Sequence, residues 1–113
     1  MHEYSIVQSM FDQIGDLART HGATAVRRVR VKVGRLAGVD PTLLRTAYTM
    51  FREKTICDTA PLEIDEVDPV WACSAGHGAI PSGSGLECPS CGAPARMAAG
   101  DEIILDGLDL EVP

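Results

Sequence analysis

Between Asp68 and Gly100 the chain runs through glycine, proline and serine, with little that could build a hydrophobic core. It nevertheless sets three cysteines and a histidine in a metal-ligand pattern: Cys73-Ser-Ala-Gly-His77, ten intervening residues, then Cys88-Pro-Ser-Cys91. A stretch with so little apolar surface cannot offset the entropy of its own ordering, so a bound ion is the expected organiser. Zinc takes tetrahedral Cys/His sites. A C-x2-C turn brings two sulfurs to one ion, and a glycine such as Gly92 allows the tight backbone behind it. The other half-site is a C-x3-H, because Gly76 stands where a ribbon would carry its second cysteine. Cys73, His77, Cys88 and Cys91 are therefore the expected zinc ligands. Two alternatives stay open: His77 as a loop residue beside the ion with water completing the shell, and a redox CxxC, which the lack of a strand-turn-helix context disfavours. No glutamate is placed as in HExxH, so no hydrolytic or other enzymatic role is expected.

At 113 residues the chain holds one small core, of a size that a structural metal or an oligomer contact often supplements. A net charge of −6 and 4% aromatic residues count against nucleic-acid binding, which needs a basic groove and stacking rings. An acidic surface suits a metal carrier or a basic protein partner. No apolar run reaches the roughly 20 residues of a membrane span, and Asp12, Gln13 and Asp16 occupy the place of a signal peptide's apolar region. The expected compartment is the cytoplasm. Thiols stay reduced there, which favours metal ligands over disulfides.

Outside the cysteine-rich stretch the hydrophobic period changes segment by segment. Ile6, Val7, Met10, Phe11, Ile14, Leu17 and Ala18 follow helical steps, ending near His21-Gly22. In VRRVRVKVG, Val29, Val31 and Val33 alternate with Arg28, Arg30 and Lys32, a strand with a basic outer face. Asp40-Pro41 announces a second helix, with Leu43, Leu44, Ala47, Tyr48, Met50 and Phe51 as its stripe. LEIDEV reads as a strand whose Glu63 and Asp65 can pair with the basic one. EIILDGLDLEV reads as a closing strand broken by Gly107. Cys57 reads as a small buried hydrophobe and His21 as a helix C-terminal residue.

Strands that alternate bury one face, so the expected class is α+β: a small, mostly antiparallel three-stranded sheet with two helices on one face, plus an inserted zinc-ribbon-like module. The expected division is 1–67 with 101–113 as one domain and 68–100 as the insert.

The opening Met1-His2-Glu3 carries separate chemistry. Polar residues at a chain end are ordinarily unremarked surface. Here, however, the Met1 amine, the His2 amide nitrogen and the His2 Nδ1 can close a five-membered and a six-membered chelate ring on one ion. Such a planar nitrogen set suits nickel(II) or copper(II), whereas zinc gains nothing from planarity. The Glu3 amide or carboxylate can add a further ligand.

MHEYSIVQSM, VRVKVGRLAGVDP, AYTMFRE, LEIDEV, the cysteine-rich segment and GDEIILDGLDLEV together resemble the HypA/HybF hydrogenase maturation factors from end to end. The resemblance implies a nickel metallochaperone with an N-terminal nickel site at Met1, His2 and Glu3 and a separate zinc domain. It implies delivery of nickel into the large subunit of [NiFe]-hydrogenase, or toward urease in some organisms, with a HypB-type GTPase as partner. It also places Asp40 at the acidic position of a GV[DE]P stretch, where its carboxylate approaches the nickel or, equally, caps the helix. A monomer or weak homodimer is expected. The chain departs from the family's two CxxC pairs at Gly76, which puts the fourth zinc ligand in question. The competing expectation is a zinc-ribbon protein-interaction module with no nickel function.

Overall fold

A computed structural model describes residues 3–81 and 85–113. Helix α1 spans Glu3–His21 and buries Val7, Met10, Ile14 and Ala18, one stripe at steps of three and four. It stops where Gly22 takes φ 65, a left-handed value that glycine adopts without the Cβ penalty. Strand β1, Ala25–Gly34, turns Val29, Val31 and Val33 into the core as the alternation demands. Val26 is also buried, although strict alternation would turn it outward. A register shift between Val26 and Arg28 inserts Arg27 as an extra residue and restores the apolar face.

Helix α2, Pro41–Phe51, begins as its sequence dictates. The Asp40 carboxylate accepts from the N–H groups of Thr42 (2.8 Å) and Leu43 (3.3 Å), and proline occupies the first turn. Its buried stripe is narrower than the expected one. Leu44, Ala47 and Tyr48 are buried, while Leu43, Met50 and Phe51 lie largely at the surface. Tyr4 covers part of that surface, with its ring edge-on to Phe51 at 5.6 Å.

Strand β2, Leu62–Val67, pairs with β1 in parallel from Val29↔Leu62 to Gly34↔Val67. The other neighbour of β1, the last strand of the chain, runs antiparallel to it, so the sheet is mixed, more parallel than expected. Crossing over through α2 brings the chain back to the end of β1 from which it started, and a helical crossover is what parallel neighbours require.

A second, two-stranded antiparallel sheet joins β3, Val70–Cys73, to β4, Ala95–Ala99. Neither strand was anticipated, because each is short and lies among turn residues. Cys73, Ile80 and Cys88, flanked by Trp71, Ala93 and Ala95, form a small cluster separate from the main core. The chain then enters β5, Ile103–Glu111, completing the first sheet in the order β2-β1-β5.

Strand β5 is continuous through Gly107, not broken by it. Arg30 faces Gly107 and Val31 faces Leu105, so Asp106 is the additional residue of a bulge. The bulge shifts the alternation by one, which lets Ile103 and Leu105 before it and Leu108 and Leu110 after it all pack on the core. The opposite face is a lattice of ion pairs: Arg28–Glu63 at 3.0 Å, Arg30–Asp109 at 2.9 Å and Lys32–Asp106 at 3.6 Å. These pairs are half exposed, so each contributes only some tenths of a kcal/mol, roughly, and they act chiefly to keep that face soluble.

Candidate metal centres

Cys73 ends β3, and the turn that follows is built to return His77 toward it. Gly76 and Gly78 adopt φ 98 and 85, the Gly76 N–H donates to the Cys73 carbonyl, and the Cys73 N–H donates to the Gly78 carbonyl at 2.9 Å. The second turn closes similarly. Gly92, at φ 72, donates to the Cys88 carbonyl at 2.8 Å, and the Cys88 N–H donates to Ala93.

The donor atoms of Cys73, His77, Cys88 and Cys91 all lie within 4.8 Å of one another. Cys73 Sγ is 3.5 Å from His77 Nδ1 and 3.6 Å from Cys91 Sγ, and Cys88 Sγ is 3.9 Å from His77 Nδ1. Metal–ligand bonds of about 2.3 Å for sulfur and 2.0 Å for nitrogen give tetrahedral edges of roughly 3.5 to 3.8 Å, so the four residues fit a zinc ion by spacing and by donor type. Hydrogen bonds from the backbone N–H groups of His77 and Ala75, helped by the His77 and Cys91 side chains, hold the Cys73 thiol down to about 6 against the effect of burial. Cys91 is shifted the other way. A backbone hydrogen bond from Ala93 favours its thiolate, but lost hydration and the neighbouring Cys73 and Cys88 sulfurs outweigh it. Three crowded sulfurs resist sharing negative charge, and a divalent cation relieves that conflict.

At the other end of the chain, Met1 and His2 lie outside the described residues. Glu3, the first residue of α1, is 5% exposed. Its Oε2 accepts a hydrogen bond from the Asp40 backbone N–H at 3.2 Å. Hydrogen bonds from the backbone N–H groups of Glu3 and Asp40 help to hold the Glu3 carboxyl down to about 2, against the effect of burial. Two of the residues expected around nickel are thus adjacent although 37 positions apart in sequence. Asp40 contributes its main chain to Glu3, while its Oδ1 is engaged with α2.

The family model for HypA, hydrogenase/urease nickel incorporation metallochaperones, matches residues 1–110. The chain belongs to the HypA family. The hydrogenase maturation factor HypA of Aquifex aeolicus is 36% identical over 115 residues, covering 99% of each chain. That of Methanosarcina barkeri is 30% identical over 128 residues, covering 98% of this chain and 96% of its own. Among solved structures, the nickel metallochaperone HypA from Helicobacter pylori superposes with a TM-score of 0.80 at 25% identity, each chain being covered in full.

Within this HypA-family chain, Cys57 stands apart from the cysteine cluster. It is wholly buried beside Tyr48, and burial pushes its thiol up, as expected of a small core residue. What sequence reasoning missed is the main-chain donor at Asp40. Reading side chains alone assigns that residue a carboxylate role, and only the fold brings its N–H to Glu3.

Proposed function

We propose that this protein is a nickel carrier for hydrogenase maturation, which takes nickel(II) at Met1, His2 and Glu3, with Asp40 alongside, and holds a structural zinc through Cys73, His77, Cys88 and Cys91. The observation that carries the reading is the family match, which extends from residue 1 through both candidate centres. The convergence of the cysteine and histidine donors and the covered Glu3 carboxylate support it.

A resident zinc would supply structural cross-linking to a segment poor in apolar surface. This chain's own contribution is to present thiolates from two tight turns. Residues 68–100 act as that zinc-held module, while residues 1–67 with 101–113 form the nickel-binding domain. Nickel is cargo, so a chelate at the chain's end suits a non-enzymatic carrier, which must release what it binds. Delivery is to the large subunit of the hydrogenase, with a HypB-type GTPase as partner, in the cytoplasm. No helix among the described residues is long and apolar enough to cross a membrane.

The test is nickel titration of untagged protein with a free or an acetylated amino terminus. The free form is expected to bind one nickel with the absorption of a planar nitrogen-rich site, and acetylation is expected to weaken binding severely. Equal affinity, stoichiometry and spectrum in both forms would overturn the terminal chelate.

A further inference from the structure

We propose that Asp40 is a positioning residue for the nickel-binding end: its side chain caps α2 and thereby holds its own backbone N–H against the Glu3 carboxylate, so the Asp40 carboxylate is not required as a metal ligand. This inference rests on the reading that the chain's first three residues take nickel.

Three local constraints converge on that N–H. The Asp40 Oδ1 reaches into the first turn of α2, accepting from Thr42 and Leu43. Its carbonyl starts the helical ladder by accepting from the Leu44 N–H at 2.9 Å, and Leu44 is anchored in the core. Pro41 restricts the residue before it to extended backbone, and Asp40 sits at φ −83 and ψ 115. A capping residue in that conformation directs its N–H away from the helix it starts, and here the acceptor is Glu3 Oε2 at 3.2 Å. The carboxylate of Glu3 is almost covered by protein. Its orientation is therefore set by what surrounds it, and fixing the orientation of a ligand from behind typically changes metal affinity by about 10- to 100-fold.

Capping and ligation demand different residues at position 40, which makes the two roles separable. Serine and asparagine cap as well as aspartate, or nearly so, without offering a carboxylate. Glutamate keeps the carboxylate, but it is not a preferred cap, and alanine supplies neither function. Full-length Asp40→Ser, Asp40→Asn, Asp40→Glu and Asp40→Ala would be titrated with nickel against a chromophoric chelator, with zinc content and thermal midpoint recorded to verify folding. Asp40→Ser and Asp40→Asn are expected to stay within about threefold of the parent and to keep its nickel absorption spectrum, whereas Asp40→Glu and Asp40→Ala lose about tenfold or more. In parallel, hydrogen exchange of the residue-40 amide should remain slow in Asp40→Ser and become fast in Asp40→Ala. Retained affinity in Asp40→Glu together with tenfold loss in Asp40→Ser and Asp40→Asn would overturn the proposal in favour of a side-chain ligand. Unchanged affinity in all four variants would overturn it too. Failure of the terminal nickel reading shows separately, as equal binding by the free and acetylated parent; an amide at residue 40 that exchanges fast in the parent would sink the positioning role regardless of nickel.

Discussion

Gly34 and Gly100 approach so closely that a β-carbon on Gly34 would lie 2.2 Å from the Gly100 carbonyl carbon and oxygen. Gly100, at φ 103, in turn leaves no room beside Pro69, whose Cα would be 2.5 Å from an added β-carbon. Backbone meets backbone at this junction because both chain crossings between the two sheets pass through it. The Gly34 N–H donates to Glu102 at 2.8 Å, and the Leu36 N–H to Gly100 at 2.9 Å. Arg35 also bonds Glu66 near the end of β2 and Asp68 on the outgoing crossing.

Gly34→Ala is accordingly expected to be severe. The obstructing atoms are main chain and cannot rotate away, so the loss should be about 3 kcal/mol, at the upper end of overpacking costs. Urea denaturation of the full chain checks it, and a midpoint within experimental error of the parent would show that the crossings can separate without penalty.

Gly107→Ala tests the opposite situation. A β-carbon there would meet the Arg30 guanidinium, 2.6 Å from Nη2, which is the far end of a flexible side chain. Arg30 can swing away at the expense of its half-exposed pair with Asp109. The expected loss is about 1 kcal/mol or less, clearly smaller than for Gly34→Ala under the same denaturation assay.

Tyr48 and Cys57 predict how stability responds to alkali. Burial raises both groups above their ordinary values of 10.0 and 9.0. A group whose pKa is higher folded than unfolded contributes stability that is complete below its unfolded pKa and is lost as pH rises past it. Thermal midpoints should therefore decline from about pH 9 upward. Tyr48→Phe should make that decline shallower. At neutral pH it should cost about 1 kcal/mol, the typical worth of one hydrogen bond. The cost stays modest because the Ala60 carbonyl that accepts from Tyr48 at 2.9 Å also accepts from Arg52 at 2.9 Å.

Much of this architecture was legible wherever a single local rule decides the outcome. Alternation identified the buried Val29, Val31 and Val33, the Asp40-Pro41 pair marked the start of α2, and ligand spacing selected the four residues whose donors lie within 4.8 Å. Pairing direction was less legible, since β2 carries the same alternation whether it lies parallel or antiparallel to β1. The bulges at Arg27 and Asp106 were invisible because each depends on a partner strand distant in sequence. β3 and β4 stayed hidden for another reason. Their order derives from two turns and a small cysteine-containing cluster, which leave little hydrophobic period to read.

The last prediction concerns the zinc-held segment. Cys88→Ala combined with Cys91→Ala removes two of four donors, so that protein should purify with little zinc, whereas His77→Ala retains three sulfurs and should keep a reduced share. Removing zinc from the parent with a chelator should disorder the second sheet, since among the described residues its buried cluster is Cys73, Ile80 and Cys88, and two of these are candidate zinc ligands. Helices α1 and α2 pack instead on β1, β2 and β5, in a core that contains no residue of the cysteine cluster. The far-UV helical signal should therefore survive chelation while the fluorescence of Trp71, which packs beside that cluster, changes. Collapse of the helical signal along with zinc loss would mean that the two sheets fold as one cooperative unit, and the division at residues 68 and 100 would be wrong.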